Sequence, residues 1–324
     1  HVVDMIIAGK GGHIGGDMSV MEILVELYMK QMNISPENQD HDTRDRFVLS
    51  KGHSVESYYA VLAEKGFFPI EEVIATFSRF GSEFIGHPNN KLPGIEMNSG
   101  SLGHGLPVCV GMAMAGKMDR KDYRVYVVMG DGELAEGSVW EGAMSAAHYK
   151  LDNLCAVVDR NRLQISGNTE DVMHHDDLHE RFRSFGWHVI DVKNGNSIEE
   201  LDAAYEEAKT VKGKPTVLIA NTVKGCGSSV MENKASWHHH VPGDEEYEQI
   251  SLTYYADGVL ADENDEVIED VEDAVGIDSL NHFGEYEDDS VFVRNDARKC
   301  DYEILLDQRT YSEVAEDMPH QMEV

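Results

Sequence analysis

The sequence predicts an α/β fold in which a parallel sheet carries helices on both faces. Short apolar runs alternate along the chain with longer segments whose apolar residues recur at helical spacing. Strands that alternate with helices are typical of a parallel sheet that is covered on both sides. The chain has no internal repeat and no low-complexity linker.

The elements follow in order along the chain. Helical spacing predicts helices over residues 17–31, 53–66, 103–117, 136–149, 176–184 and 197–212. Apolar runs predict strands over residues 124–130, 154–159, 187–192 and 215–222. Asp17 has the position and chemistry of an N-cap for the first helix. The third helix is rich in Gly, Ala and Met, which suits tight burial.

Composition favours a cytoplasmic protein without membrane contact. The chain has 324 residues, 41% of them hydrophobic, but no stretch approaches the roughly 20 apolar residues of a membrane-spanning helix, and no signal peptide is visible. The four cysteines, Cys109, Cys155, Cys226 and Cys300, lie far apart without C-x-x-C pairing. That spacing argues against a disulfide framework or zinc site and indicates a reducing compartment.

Charge is distributed unevenly along the chain. The net charge is −33, and residues 244–324 alone contain 26 acidic and four basic residues. So acidic a chain disfavours nucleic acid and anionic membranes as partners. The composition changes near Pro242-Gly243-Asp244. We therefore expect a main domain over 1–243 and a small acidic C-terminal extension over 244–324.

The extension is expected to be ordered, because the Tyr254-Tyr255 pair and residues 291–293 and 302–306 supply apolar side chains for a small core. Its densest acidic run contains Asp262, Glu263, Asp265 and Glu266. The run lacks the EF-hand spacing and glycine of a calcium loop. A solvated acidic face is therefore favoured over a calcium site.

One aspartate between glycines carries the main chemical signal. Asp131 follows the predicted strand 124–130, and Asn161 follows the next strand, thirty positions later. Ligands collect beyond the carboxyl ends of parallel strands. A carboxylate, an amide oxygen and a loop carbonyl suit Mg²⁺ or Ca²⁺. Gly130 and Gly132 let the backbone approach a diphosphate closely. A lone Asp-Gly is commonly a turn, but its pairing with Asn161 predicts a metal–diphosphate site.

These residues belong to a larger set of motifs. In order they are GGHIGGDMS, VLSKGHS, GHPNNKLPGIEMNSGSLGHGL, GDGELAEG with DRNRLQISG, and NTVKGCGSSVMENKASWH. From about Gly12 to Pro242 the chain resembles the N-terminal, cofactor-binding half of transketolase, in the form encoded as a separate subunit. The resemblance implies the thiamine diphosphate-binding fold and transfer of a two-carbon ketol unit from a ketose (phosphate) to an aldose (phosphate).

The resemblance also implies where the cofactor and its metal bind. Thiamine diphosphate with Mg²⁺ (or Ca²⁺) is the expected cofactor. The implied metal ligands are Asp131, Asn161 and the backbone carbonyl of Leu163. The backbone amide of Gly132 is expected to contact the diphosphate, and Gly100 and Leu102 are expected to line the cofactor's path.

Four histidines and one glutamate complete the implied site. His53 and His238 match histidines beside the diphosphate, and His13 and His87 match those that face the donor sugar. Imidazoles suit a site that moves protons near neutral pH and binds sugar hydroxyls. Glu136 matches a glutamate that contacts its counterpart across a dimer. A first-turn acid favoured by the helix dipole is the alternative role for Glu136.

The sequence departs from the family at several points. His104 stands where glutamine is usual, and His239 where glycine is common. Whole transketolases are much longer, and nothing after Pro242 resembles their second half, which holds the aminopyrimidine ring and the substrate phosphate. We therefore expect a heteromer with a separate C-terminal-half subunit, two copies of each, acting on a sugar phosphate or related sugar.

Three other functions remain open from the residues alone. The alpha subunit of a 2-oxo acid dehydrogenase has a similar arrangement of GDG and asparagine, but it lacks SKGH with the spaced histidines. Deoxyxylulose-phosphate synthase shares more of the motifs, but normally carries both halves in one chain. A non-catalytic binding module of the same fold is the third alternative. The intact Asp131, Asn161 and histidine set argue against that module.

Overall fold

The computed structural model describes residues 1–175 and 177–256. Its helices are α1 (Val2–Gly9), α2 (Ile14–Glu26), α3 (Val55–Glu64), α4 (Ile70–Thr76), α5 (Gly105–Asp119), α6 (Gly137–His148), α7 (Thr169–Val172), α8 (Leu178–Ser184), α9 (Ile198–Thr210) and α10 (Asp244–Ala256). Its strands are β1 (Arg46–Leu49), β2 (Val125–Gly130), β3 (Leu154–Asp159), β4 (Leu163–Gln164), β5 (Gly167–Asn168), β6 (His188–Val192) and β7 (Thr216–Ala220).

The main sheet has five strands in the order β1-β2-β3-β7-β6, and every neighbouring pair in it is parallel. The strands β4 and β5 form a separate antiparallel hairpin. The prediction of a parallel sheet in an α/β fold is confirmed.

Side chains of the interior strand β2 enter two cores, one on each face of the sheet. Tyr126 and Val128 pack into the core that α1, α2, α3 and α9 share. Val125, Val127 and Met129 pack into the core built by α5, α6 and α8. Successive residues of a strand point to opposite faces, so a strand buried on both faces is apolar throughout. This burial explains the unbroken apolar runs and confirms helices on both faces.

The start of the first predicted helix differs from the expectation. α2 begins at Ile14, with His13 at its N-cap, and Asp17 is fully buried inside its first turns rather than capping it. Gly15 and Gly16 have low helix propensity, so the sequence pattern places the start too late. Tertiary packing requires glycine there, since a Cβ on Gly15 would lie 2.6 Å from the Trp237 carbonyl oxygen.

The first strand and the last described helix add to this architecture. The sequence does not predict β1, because four residues between charged segments carry too little apolar signal. In α10, Ile250 is buried in the core and the Tyr247 hydroxyl donates to Asp4. The acidic extension expected over 244–324 lies outside the described residues from residue 257 onward. None of the described helices combines the length and the apolar character that crossing a bilayer requires.

Candidate active site

Four loops leave the carboxyl edge of the sheet and bring the site together. The loop after β1 carries Lys51 and His53, the loop after β2 carries Asp131, the loop after β3 carries Asn161, and the loop after β7 carries Lys224. Gly130 at the end of β2 is in register with Asp159 at the end of β3. The edge at which ligands collect in α/β proteins therefore holds most of the chemically active side chains.

Asp131 lies at the head of the loop after β2 with its carboxylate nearly fully buried. Its Oδ1 accepts a hydrogen bond from the Gly132 amide (2.9 Å), and its Oδ2 accepts from the Arg162 amide (2.7 Å). Burial and the nearby charge of Asp159 raise the pKa of Asp131. A bound cation would offset both effects, which makes this carboxylate a suitable metal ligand.

Asn161 and Leu163 lie beside Asp131. The Oδ1 of Asn161 accepts from the Leu163 amide at 3.1 Å, and its Nδ2 donates to the Ser19 hydroxyl at 3.0 Å. The Leu163 carbonyl oxygen accepts from the Lys224 ammonium at 3.2 Å. The Asn161 Oδ1 and the Leu163 carbonyl oxygen each have a second lone pair that could bind a metal. The Leu163 carbonyl oxygen already contacts the Lys224 ammonium, so a positive charge is favourable at this position. The donor set therefore fits Mg²⁺.

A buried ion pair joins the loop after β1 to the end of β3. The Lys51 ammonium donates to Oδ2 of Asp159 and to the Gly16 carbonyl oxygen. Asp159 also accepts from the hydroxyl groups of Ser19 and Thr222. Both charged groups are almost fully buried, so each depends on the other for compensation. The pair fixes the relative positions of three loops of the site.

Lys224 is a second buried cation in the same place. Burial, with a further contribution from Lys51, lowers the pKa of Lys224 to about 8. Asp159 and Asp131 act in the opposite direction. The four charges of Lys51, Lys224, Asp131 and Asp159 cancel when all are ionised. A divalent cation and a diphosphate entering together would nearly preserve that balance, so the electrostatics fit a metal–diphosphate group.

Five histidines form a cluster opposite these charges. The His13 ring centroid lies 5.2 Å from that of His53, 6.4 Å from that of His87 and 5.5 Å from that of His238. His239, which the sequence marks only as a departure from the family, lies closer still at 4.9 Å. Within the described part of the chain no group of three or more His, Cys, Asp or Glu is arranged to hold a metal.

Four of these histidines, His13, His53, His87 and His238, are neutral at neutral pH. Burial is the main cause of the lowered pKa of all four, and it takes the pKa of His13 to about 4 and that of His238 to about 3. The pKa of His53 is well below its usual value and that of His87 is also lowered. His239 and the two lysines add repulsion at His13. A neutral imidazole both donates and accepts a hydrogen bond, as a sugar hydroxyl requires.

These shifts predict how stability depends on pH. The unfolded chain protonates His13 near pH 6.5, whereas the folded chain does so only near pH 4. The unfolded state therefore binds more protons in that window, and His13 contributes stability that is lost as the pH falls. We expect urea unfolding of the His13→Gln variant to lose less stability than the wild type between pH 7 and pH 5. Equal losses in both proteins would contradict the assignment.

The remaining predicted residues frame the site. Gly100 has φ +126°, and a Cβ there would lie 2.5 Å from Cδ2 of His87, so glycine is required for this approach. The Leu102 carbonyl accepts from His104, whose side chain is exposed. The Gly132 amide, expected to face a diphosphate, donates instead to Asp131. Glu136 is exposed at the N-cap of α6 and makes no side-chain cap hydrogen bond.

Comparison with known proteins identifies this architecture. The family model for the thiamine diphosphate-binding domain of transketolase matches residues 1–285. The chain belongs to the transketolase family. It is 50% identical over 248 residues to an apulose-4-phosphate transketolase subunit of Phocaeicola vulgatus, covering 76% of this chain and 88% of that protein. It is 43% identical over 229 residues to the 6-deoxy-6-sulfo-D-fructose transketolase subunit SqwG of Clostridium sp. (strain MSTE9), covering 70% and 82%.

Solved transketolases have the same fold. The structure of the enzyme from Leishmania mexicana superposes with a TM-score of 0.73 at 32% identity, covering 78% of this chain and 39% of that one. The enzyme from Campylobacter jejuni superposes with a TM-score of 0.75 at 30% identity, covering 78% and 41%. The chain thus spans about two fifths of the length of these solved transketolases, but most of the length of the relatives that are named as transketolase subunits.

Sequence reasoning missed several residues of this transketolase-family site. Lys51, Lys224 and Asp159 lie within or beside the motifs, but no pattern links them to one another. Glu133, within GDGELAEG, is buried and accepts from the Gly130 and Gly103 amides (3.1 and 2.8 Å) as well as the Ser50 hydroxyl. It fastens the loop after β2 to the loops that carry Ser50 and Gly103. The sequence signal that could have identified Glu133 is the position of an acidic residue directly after GDG.

Proposed function

We propose that this chain is the thiamine diphosphate-binding subunit of a split transketolase. With a separate C-terminal-half subunit it transfers a two-carbon ketol unit from a ketose phosphate, or a related anionic sugar, to an aldose phosphate. The supporting observation is the juxtaposition at one sheet edge of a hard-oxygen ligand set, two buried lysines and a cluster of histidines that includes the neutral imidazoles of His13 and His53.

The chain's own oxygens would hold the metal. Asp131, Asn161 and the Leu163 carbonyl supply a charged and two neutral ligands, a set suited to Mg²⁺ and also usable by Ca²⁺. Lys51 and Lys224 would balance the diphosphate, and the Gly132 amide is available to it if its contact with Asp131 opens. Thiamine diphosphate, when bound, supplies the carbanion-stabilising chemistry that breaks and forms the carbon–carbon bond.

The histidines would handle the sugar. His13 and His87 each present a neutral imidazole that donates to one sugar hydroxyl and accepts from another. His53 and His238 lie nearer the lysines, whose charges lower their pKa further. They therefore remain proton acceptors throughout the neutral range, which suits the removal and return of hydroxyl protons during ketol transfer.

The partner subunit would supply the rest of the site. The apulose-4-phosphate relative, which is named as a subunit, is matched over 88% of its length, whereas the solved transketolases are matched over about two fifths, which supports a site shared with a second subunit. Lys51 and Lys224 are buried beside the proposed diphosphate position and cannot also reach the far end of a sugar. We place recognition of that anionic end in the partner, with Glu136 facing a counterpart across an assembly of two copies of each subunit.

Reconstitution tests this function. We expect the purified chain to show negligible ketol transfer from a ketose phosphate to an aldose phosphate with thiamine diphosphate and Mg²⁺, since half the site is absent. Adding the separately encoded C-terminal half should restore turnover, with a maximum at equimolar subunits. Full turnover by the isolated chain would overturn the heteromer. Decarboxylation of a 2-oxo acid by the mixture would favour a dehydrogenase-type alpha subunit, and absence of metal-dependent cofactor binding would favour a non-catalytic module.

A further inference from the structure

Two acidic side chains below the histidine cluster have no role in the site described so far. Asp17 on α2 and Glu56 on α3 are both completely buried. Oδ1 of Asp17 accepts from the Ser57 amide at 3.0 Å, and the Ser57 hydroxyl donates to the Asp17 carbonyl oxygen at 2.8 Å. Asp17 therefore fastens the start of α3 to the first turns of α2.

The remaining carboxyl oxygens lack donors. Among the described residues, no well-oriented donor reaches Oδ2 of Asp17 or either side-chain oxygen of Glu56, although all three are buried. The two carboxyl groups are within hydrogen-bonding reach of one another. Two adjacent buried carboxylates cannot both stay ionised, and a single proton between them satisfies both.

This pair encloses the backbone of His13. The Asp17 amide donates to the His13 carbonyl oxygen at 3.1 Å, and the Glu56 carboxyl group adjoins the His13 amide. The chain passes directly over Glu56, because a Cβ on Gly12 would lie 2.4 Å from its Oε1. Any movement of the carboxyl pair is therefore transmitted to the residue that carries the central imidazole of the cluster.

We propose that Glu56 is protonated and donates a hydrogen bond to Oδ2 of Asp17, and that this shared-proton pair positions His13 in the sugar site. The consequence for catalysis rests on the proposed function, whereas the shared proton and the placement of His13 do not. Glu56 and Asp17 are positioning residues, since they act on the site through the backbone of His13.

The surroundings are consistent with a retained proton on Glu56. Burial, and then the charge of Asp17, raise the pKa of Glu56 well above its usual range. Burial raises the pKa of Asp17 to about 7, and Lys51 and Lys224, on the cofactor side, oppose that effect and favour ionisation of Asp17 rather than of Glu56. Tyr59, on α3, is a further titratable group that interacts with Glu56. From α1 the nearest group to Gly12 is the apolar side chain of Ile6.

The shared proton has a defined effect on stability. Because the pKa of Glu56 is raised on folding, the folded chain retains a proton that the unfolded chain releases above its ordinary glutamate pKa. The stabilisation is present at low pH and is lost as the pH rises through the folded-state value. Glu56→Gln supplies a permanent donor to Asp17, so this loss is absent from the variant.

Infrared spectroscopy of the full chain tests the proton directly. At pH 7 we expect a carbonyl stretching band of a protonated carboxylic acid that disappears in Glu56→Gln. It should persist in Glu72→Gln, which removes an exposed glutamate from α4. A wild-type minus Glu56→Gln difference spectrum without this band would overturn the proposal.

The NMR signal of the His13 imidazole tests whether the carboxyl pair positions this residue. The resonance of its carbon-bound ring protons, assigned by its absence in His13→Gln, should shift in Glu56→Ala and stay at the wild-type position in Glu56→Gln. In the reconstituted enzyme, Glu56→Ala should lower kcat/KM for the donor sugar by about tenfold or more through misplacement, and Glu56→Gln should rescue it. Identical resonances in Glu56→Ala and wild type would overturn the positioning role. The two proposals can be distinguished. If the infrared and resonance results are as expected but the reconstituted wild type shows no ketol transfer, the proposed function is wrong, whereas the shared proton and its positioning of His13 are supported.

Discussion

Replacing Asp159 with alanine should destabilise the folded chain by about 3–5 kcal/mol, the cost typical of removing one member of a buried ion pair. The substitution leaves the Lys51 ammonium buried, with the Gly16 carbonyl oxygen still accepting from it. It also removes the acceptor of the Ser19 and Thr222 hydroxyl groups. Urea unfolding at pH 7 without cofactor measures the change.

A double substitution separates the charge from the packing. In Lys51→Met/Asp159→Leu both charges are absent, and we expect much of the lost stability to return, because apolar residues of similar volume replace a buried pair at little cost. The exposed pair of Lys209 and Glu206 is the matched control, and Glu206→Ala should leave the unfolding midpoint nearly unchanged. Equal effects of Asp159→Ala and the double substitution would show that charge compensation is not the cause.

This ion pair also shows why part of the site is not predictable from sequence. Lys51 and Asp159 are 108 positions apart, and no local period relates them. The pairing of Asp131 with Asn161 is predictable because both follow apolar runs, and parallel strands place such loops at one edge. Lys51 contacts Asp159 because β1, β2 and β3 are neighbours in the sheet, and a single sequence does not specify this strand order. Glu133 escapes prediction for the same reason, since its partners Ser50 and Gly103 lie in other loops.

The fold is more accessible from sequence than the site. Four of the five strands of the main sheet are predicted. β2, β3 and β7 are apolar because both of their faces are buried, whereas the edge strand β6 is only partly buried and still carries Val189, Ile190 and Val192. β1 is too short to show that signal. Local chemistry assigns Asp17 to a helix cap, and it cannot reveal that α3 packs against this residue. The true environment of Asp17 follows from a contact across 40 positions, a tertiary effect that overrides a local preference.

Replacing Asp131 with alanine should abolish the metal-dependent part of thiamine diphosphate binding. Asp131 is the only charged member of the proposed ligand set. Removing a residue that only hydrogen-bonds to a metal ligand commonly lowers metal affinity by about 10–100-fold. We expect the removal of a direct ligand to lower the affinity by at least as much. Calorimetry of the chain mixed with its partner subunit, with and without Mg²⁺, measures the effect. Asp122→Asn, at a surface position just before β2, is the control and should bind as the wild type does.

Asp131→Asn distinguishes the metal ligand from a structural role. The amide keeps one oxygen for the Gly132 or Arg162 amide, so the loop is largely retained while the charge is lost. Burial raises the pKa of Asp131, so removing its charge should offset the one amide hydrogen bond that asparagine cannot accept, and the chain without cofactor should be at least as stable as the wild type. A ligand role therefore predicts opposite signs: weaker metal-dependent binding together with equal or greater stability. If Asp131→Asn instead unfolds the chain and the residual folded fraction binds cofactor normally, Asp131 serves the loop and the metal must be held elsewhere.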